Sequence, residues 1–201
     1  MSGSISRCLG AWRDKSWVLL TKRWGMFLGV SFFYTFSMGN KQQEKLVFLL
    51  ARCNGAIGYA PLGDEAEYAD SSLFKSVASK QIFLPKNGAD GPYRWAQLCN
   101  ERYGNKKICI FVPGVRFDAR GTRKGRGGGW YDRFLSKIHP EWIRIGIIGA
   151  GGFSRTALAR QEWDEPVDWV AVRGASSWKF YETHARHARK PLRRDLSRAI
   201  K

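Results

Sequence analysis

The sequence predicts an α/β domain, a sheet with helices on both faces. Three observations point there. Short β-rich apolar runs alternate with helical stretches along the chain, the pattern of a sheet covered by helices. One run, KICIFV at residues 107–112, is continuously apolar, as in a strand buried on both faces. The chain has 201 residues, 44% of them hydrophobic and 14% aromatic, enough for one domain with a sizeable core.

The elements follow in order. Residues 41–53 (KQQEKLVFLLARC) are rich in helix formers with apolar residues on one face, and Gly55 ends that helix. Residues 56–60 (AIGYA) form a short strand stopped by Pro61 and Gly63. A short helix over residues 70–79 has Asp70 or Ser71 as its N-cap. QIFL at residues 81–84 is a strand ended by Pro85. A polar stretch over residues 87–105 connects to KICIFV, which Pro113 and Gly114 close. Residues 130–138 read as a helix, and residues 143–148 and 167–172 as two more strands. No internal repeat is visible.

The ends differ from the middle. The first forty residues hold one acid, Asp14, and residues 24–38 (WGMFLGVSFFYTFSM) are strongly apolar. That run is shorter than the roughly 20 residues a membrane helix needs, and no signal-cleavage pattern follows it, so no membrane span is expected. The acid-poor, arginine-containing start resembles an organelle transit peptide, against the plainer reading as a buried helix or strand. From residue 173 onward the charge is almost all basic. The expected organisation is an N-terminal segment over 1–40, an α/β domain over 41–175 and a basic tail over 176–201. Cys8, Cys53, Cys99 and Cys109 are scattered, which gives poor support to a disulfide framework or a zinc site and suits an intracellular chain. His184 and His187 lie in a basic context without a carboxylate nearby and are no metal site. The expected compartment is the cytoplasm, with the mitochondrion as the alternative.

A formal charge of +17 makes polyanions the expected partners: nucleic acid, a phosphate-rich ligand or an anionic surface. The stretch FDARGTRKGRGGGWYDRFL, residues 117–135, concentrates the question. As an Arg-Gly arm it would bind RNA, but such arms lie at termini or in linkers, and this run sits between a strand and a helix. As a folded loop it would cradle phosphates. Gly125, Gly127, Gly128 and Gly129 let backbone N–H groups turn towards one anion, and Arg123, Lys124 and Arg126 add full charges. Asp132, in the first helical turn, would suit Mg²⁺ beside bound phosphates. No G-K-[ST] follows, so this is not a Walker loop. A second glycine cluster, IGIIGAGGFSRTALA at residues 145–159, falls short of a dinucleotide fingerprint because Ser154 stands at its third glycine. A third patch, PLGDEAEYADSSLF at residues 61–74, crowds Asp64, Glu65 and Glu67 after the first strand, as a solvated loop or as carboxylates facing a ligand.

FVPGVRFDARGTRKGRGGGWYDRFL resembles the signature of the 5-formyltetrahydrofolate cyclo-ligase family, V-P-G-x-x-F-D-x-x-G-x-R-x-G-x-G-x-G-[YW]-Y-D-x-[FY]-L. The order of PLGDE, LPK, the signature and EPVDWV also fits, so the resemblance covers about residues 56–172. It implies a NagB/RpiA/CoA-transferase-like single domain. The implied activity is that of a ligase: ATP- and Mg²⁺-dependent cyclisation of 5-formyltetrahydrofolate to 5,10-methenyltetrahydrofolate. By the same match, the loop from Arg123 through Lys124, Gly125, Arg126, Gly127, Gly128, Gly129 and Trp130 to Tyr131 would line ATP. Leu62, Glu65, Arg126 and Trp130 would face the folate. Arg126 and Asp132 would be catalytic, with Asp132 and Asp168 holding the metal. Trp130 stands where a tyrosine is common. The family's basic pair near the N-terminus has only unanchored counterparts, Arg13 with Lys15 or Lys22 with Arg23, and its T-E after the last strand is replaced by Val172, Arg173 and Gly174. The positive charge would suit a polyglutamylated folate. A nucleic-acid-binding protein on the same fold is the competing reading and is not favoured. A monomer and a dimer are both compatible with the sequence.

Overall fold

The computed structural model describes residues 41–69, 71–78, 81–84 and 91–185. The N-terminal segment, the proposed cap Asp70, the LPK motif beyond Leu84 and the tail beyond residue 185 lie outside them.

The chain runs through α1 (Lys41–Ala51), β1 (Gly55–Tyr59), α2 (Ser72–Ala78), β2 (Gln81–Leu84), α3 (Pro92–Tyr103) and β3 (Ile108–Pro113). It continues through β4 (Arg116–Asp118), β5 (Arg123–Lys124), α4 (Trp130–Leu135), β6 (Ile143–Gly149), β7 (Phe153–Ser154), β8 (Trp169–Arg173) and β9 (Trp178–Glu182). The main sheet has the order β2-β1-β3-β6-β8-β9. Its pairs are parallel except for β8 with the edge strand β9. The five parallel strands therefore follow the doubly wound order 2-1-3-4-5, whose direction of winding reverses between β1 and β3.

Both faces of the sheet are covered, as expected. Alternate residues of β3 divide between two cores. Cys109 and Phe111 pack with Leu46 and Leu50 of α1 and Phe74 of α2. Ile108, Ile110 and Val112 pack with Ala96 and Cys99 of α3 and Phe134 and Leu135 of α4. A continuously apolar strand is what such two-sided burial requires, and all six residues of β3 are buried.

The structure departs from the sequence reading in four places. The polar connector contains α3, twelve residues long, which starts with Pro92 in its first turn, where a missing N–H costs nothing. Its apolar positions are few: Ala96 and Cys99 are buried, with Trp95 and Tyr103 packed beside them. α4 ends at Leu135, six residues in all rather than nine. The boundary at residue 175 falls too early, because β9 begins the supposed tail and pairs along β8 from Trp178 to Glu182. Its aromatic residues explain this, since Phe180 joins the core while Lys179 stays exposed. Finally, the glycine-rich stretch is not one loop. β4 and β5 pair within it, and β4 also pairs with β7 in a small second sheet.

β7 also settles the second glycine cluster. Among the described residues no helix follows β6, and Gly146 and Gly152 are packing sites against the Phe117 ring and the Ile148 side chain. A dinucleotide fingerprint needs a helix there.

Candidate active site

A cavity of about 910 Å³ opens at the carboxyl ends of β1 and β3, where the strand order reverses. Ligands of open α/β sheets bind at this position. Tyr59 and Ala60 come from the end of β1, and Pro113, Gly114 and Val115 from the end of β3. The loop from Arg123 to Arg133 forms the floor. Leu62 and Glu65 stand on one side, and Leu158, Ala159, Trp163 and Asp164 on the other. The structure thus brings together every residue the sequence reading placed at the site except Asp168.

Asp168 is committed elsewhere. It precedes β8 at the amino ends of the parallel strands, the edge away from the cavity, and is 1% exposed. Its Oδ2 accepts the backbone N–H of Arg144 at 2.8 Å. A buried carboxylate used this way helps join β6 to β8, and a metal pair of Asp132 and Asp168 is not assembled.

The loop owes its shape to Asp118, a residue the sequence reading passed over. Its carboxylate, nearly inaccessible, accepts the N–H groups of Arg120 at 3.0 Å and Thr122 at 2.8 Å. It also accepts the Leu158 N–H at 2.9 Å, while Arg120 donates to the Leu158 carbonyl at 2.6 Å. One buried acid therefore closes the 118–122 turn and fixes the far wall of the cavity to it. The bonds to Arg120 and Thr122 are local, but the tie to Leu158, 40 residues away, had no signal in the sequence.

Within the floor, Gly127 has φ of +90°, which L side chains rarely adopt, and a Cβ there would meet open space. That openness belongs to the ligand side of the loop. Arg123 is 9% exposed and donates from Nη2 to Asp132 Oδ2 at 2.7 Å. Its guanidinium also lies 5.5 Å from the centre of the Tyr131 ring. Its buried Nε has no hydrogen-bond partner among the described residues. A buried cationic donor left over in a cavity wall is ready for an anionic acceptor. Since α4 has only six residues, the loop amides and the cations, not a helix dipole, supply most of the positive field.

Arg126 is more open. It pairs with Asp64, lies 3.8 Å from Glu65 Oε1 and donates to the Leu62 carbonyl at 3.3 Å. Glu65 is held in turn: its Oε2 accepts the Leu62 N–H at 3.0 Å and its own N–H donates to the Leu62 carbonyl at 3.0 Å. Of the acidic patch, Glu65 lines the cavity, while Asp64 and Glu67 do not. Burial and the nearby Glu65 carboxylate push the Tyr131 hydroxyl well above the ordinary tyrosine range, and Tyr59 behaves alike, first through burial and then through Tyr68. Both stay neutral donors. Tyr59 donates to the Ala66 carbonyl at 2.6 Å, which ties the 60–66 loop to the sheet.

Asp132 completes the floor. Its Oδ2 carries the Arg123 pair, and its Oδ1 accepts the Glu165 N–H at 3.3 Å. Cys53, Cys99 and Cys109 form no disulfide, and burial pushes Cys99 up to about 12.

The fold and this cavity define an α/β protein with a loop rich in glycine and arginine at the winding reversal of its sheet. Residues 32–173 match the 5-formyltetrahydrofolate cyclo-ligase family, and the chain belongs to that family. It is similar to the 5-formyltetrahydrofolate cyclo-ligase of Mycoplasma genitalium, 33% identical over 147 residues that span 66% of this chain and 81% of that one. It is also similar to the 5-formyltetrahydrofolate cyclo-ligase of Mycoplasma pneumoniae, 28% identical over 138 residues that span 66% and 83%. Among solved structures, a 5,10-methenyltetrahydrofolate synthetase from Mycoplasma pneumoniae aligns with 21% identity and a TM-score of 0.43, over 66% of this chain and 81% of that one. Among the described residues, no helix is long and apolar enough to cross a membrane.

Proposed function

We propose that this chain is an ATP-dependent ligase that cyclises 5-formyltetrahydrofolate to 5,10-methenyltetrahydrofolate, releasing ADP and phosphate. The observation that carries this is the cavity at the β1/β3 reversal, with a cationic glycine loop as its floor and Glu65 on its wall. Family membership supplies the substrate class.

The residues suit the chemistry. Phosphoryl transfer depends on positioning and charge neutralisation more than on covalent help from protein groups. The amides of Gly127, Gly128 and Gly129, with Lys124 and Arg126, hold the triphosphate. Leu62 and Trp130 pack against the pterin, and Glu65 accepts its N–H groups. The formyl oxygen attacks the terminal phosphorus, and the bond to the ADP oxygen breaks. Arg126 and Arg123 neutralise the charge that spreads over the transferring group. The second folate nitrogen then attacks the activated formyl carbon and loses its proton. The C–O bond breaks, and phosphate leaves with the formyl oxygen. Leu62, Val115 and Leu158 give the cavity an apolar rim.

Mg²⁺ fits the donor set, since that ion takes one or two carboxylates together with phosphate oxygens. Asp132 would hold it and Arg123 would give up its pair; the ion would supply charge neutralisation at the phosphates. The high positive charge favours a polyglutamylated folate, and the cytoplasm is the proposed compartment.

The test is a spectrophotometric assay. With ATP, Mg²⁺ and 5-formyltetrahydrofolate, the near-ultraviolet absorbance of the methenyl product rises; omission of ATP or addition of a chelator stops it. Asp132→Asn shifts half-maximal activity to higher Mg²⁺. A rise that continues in chelator would remove the metal from the account, and no rise from folded protein would remove the ligase.

A further inference from the structure

Trp163 is the most exposed large apolar side chain among the described residues, at 69%. Its position is unusual for an exposed aromatic residue. Phe48 has Arg52 over its ring at 5.3 Å, and Tyr93 has Lys137 at 6.0 Å. The Trp163 indole has no such cation and no ring neighbour among the described residues, and it stands on the rim of the cavity.

The turn that carries it is tied down on both sides. Gln161 N–H donates to Asp164 Oδ2 at 2.8 Å, and Asp164 N–H donates to the Gln161 carbonyl at 3.2 Å. Upstream, Leu158 is fixed to Asp118 and Arg120; downstream, Glu165 N–H donates to Asp132. An open apolar plane is thus held at the cavity mouth by a fixed backbone. Holding a contact surface in place before the ligand arrives lowers the entropic cost of binding.

We propose that Trp163 is the stacking wall for the adenine ring of ATP. The inference rests on the ligase reading for the identity of the nucleotide. The direction follows from the tethers. The Trp163 turn is bound to Asp132, whereas Leu62 and Glu65 are bound to Arg126, six residues earlier in the floor. A triphosphate lying on Gly127–Gly129 therefore has its base directed to Trp163 and leaves the Glu65 side to the pterin. Indole faces stack on bases with little dependence on base identity, so a purine nucleotide other than ATP is held as well by this wall.

Titration calorimetry on the full chain reads this without turnover. Trp163→Ala weakens ATP about ten-fold or more, the range that loss of one base–aromatic stack gives, and Trp163→Phe stays near the wild type. Affinity for inorganic tripolyphosphate, which has no base, is the same in all three proteins. Unchanged ATP affinity in Trp163→Ala would overturn the proposal. So would an equal loss for tripolyphosphate, which points to damaged folding or charge, or a loss confined to 5-formyltetrahydrofolate, which puts the pterin at this wall. A chain that binds ATP through Trp163 but never forms the methenyl product would support the wall and refute the ligase.

Discussion

Arg126→Ala lowers kcat by about a thousand-fold, in line with the loss of an arginine that neutralises a transferring phosphoryl group. The fold survives the change. The side chain is 54% exposed, its bonds to Asp64 and the Leu62 carbonyl lie at the surface, and such pairs stabilise by at most ~1 kcal/mol. Arg126→Lys recovers part of the rate only, because an ammonium cannot offer two N–H groups in one plane. Steady-state kinetics with a thermal melt on the same preparations checks this. The expected signature is a collapsed kcat with an unmoved Tm. A wild-type rate in Arg126→Ala would take that residue out of the chemistry and leave Arg123 as the cation at the phosphates.

Gly121→Ala is expected to have the largest effect on stability. Gly121 has φ of +78°, and a Cβ there would run into the backbone carbonyl oxygen of Val167, which cannot move cheaply. That carbonyl accepts the Thr183 hydroxyl at 2.5 Å, and the Val167 N–H donates to the Gly121 carbonyl at 3.0 Å. Three segments meet at this contact: the turn closed by Asp118, the approach to β8 and the end of β9. Strain and clash together cost roughly 3 kcal/mol, a fall in Tm of about 6–12 °C for a domain of this size. Gly151→Ala is the control, since it has no positive φ and a Cβ would meet nothing within 4 Å. Equal melting points for the two variants would show that the turn has room to relax.

The cavity floor could be read from the sequence because its elements are local. Gly125 to Asp132 occupy eight consecutive positions, and their residue types already state the chemistry. The strands could be read for the same reason: β2 falls at residues 81–84 as expected, and β3 begins one residue late. What could not be read depends on contacts distant in sequence. Asp118 reaches Leu158, and Arg144 reaches Glu165 and the Leu135 carbonyl. No local pattern separates these buried ions from solvated ones. Asp168 shows the converse: the family resemblance implied a metal ligand, whereas the buried carboxylate accepts the Arg144 N–H. The helix α3 was hidden by exposed polar residues around a narrow apolar stripe, and β9 by the basic residues that surround its aromatics.

The central claim is that the formyl oxygen attacks the terminal phosphoryl group of ATP in the β1/β3 cavity. Mass spectrometry of the released phosphate tests it most directly. With 5-formyltetrahydrofolate labelled with ¹⁸O at the formyl group, one labelled oxygen enters inorganic phosphate per turnover and none enters ADP. Unlabelled phosphate, formed together with the methenyl product, would mean that water hydrolyses ATP and that the formyl oxygen leaves by another route.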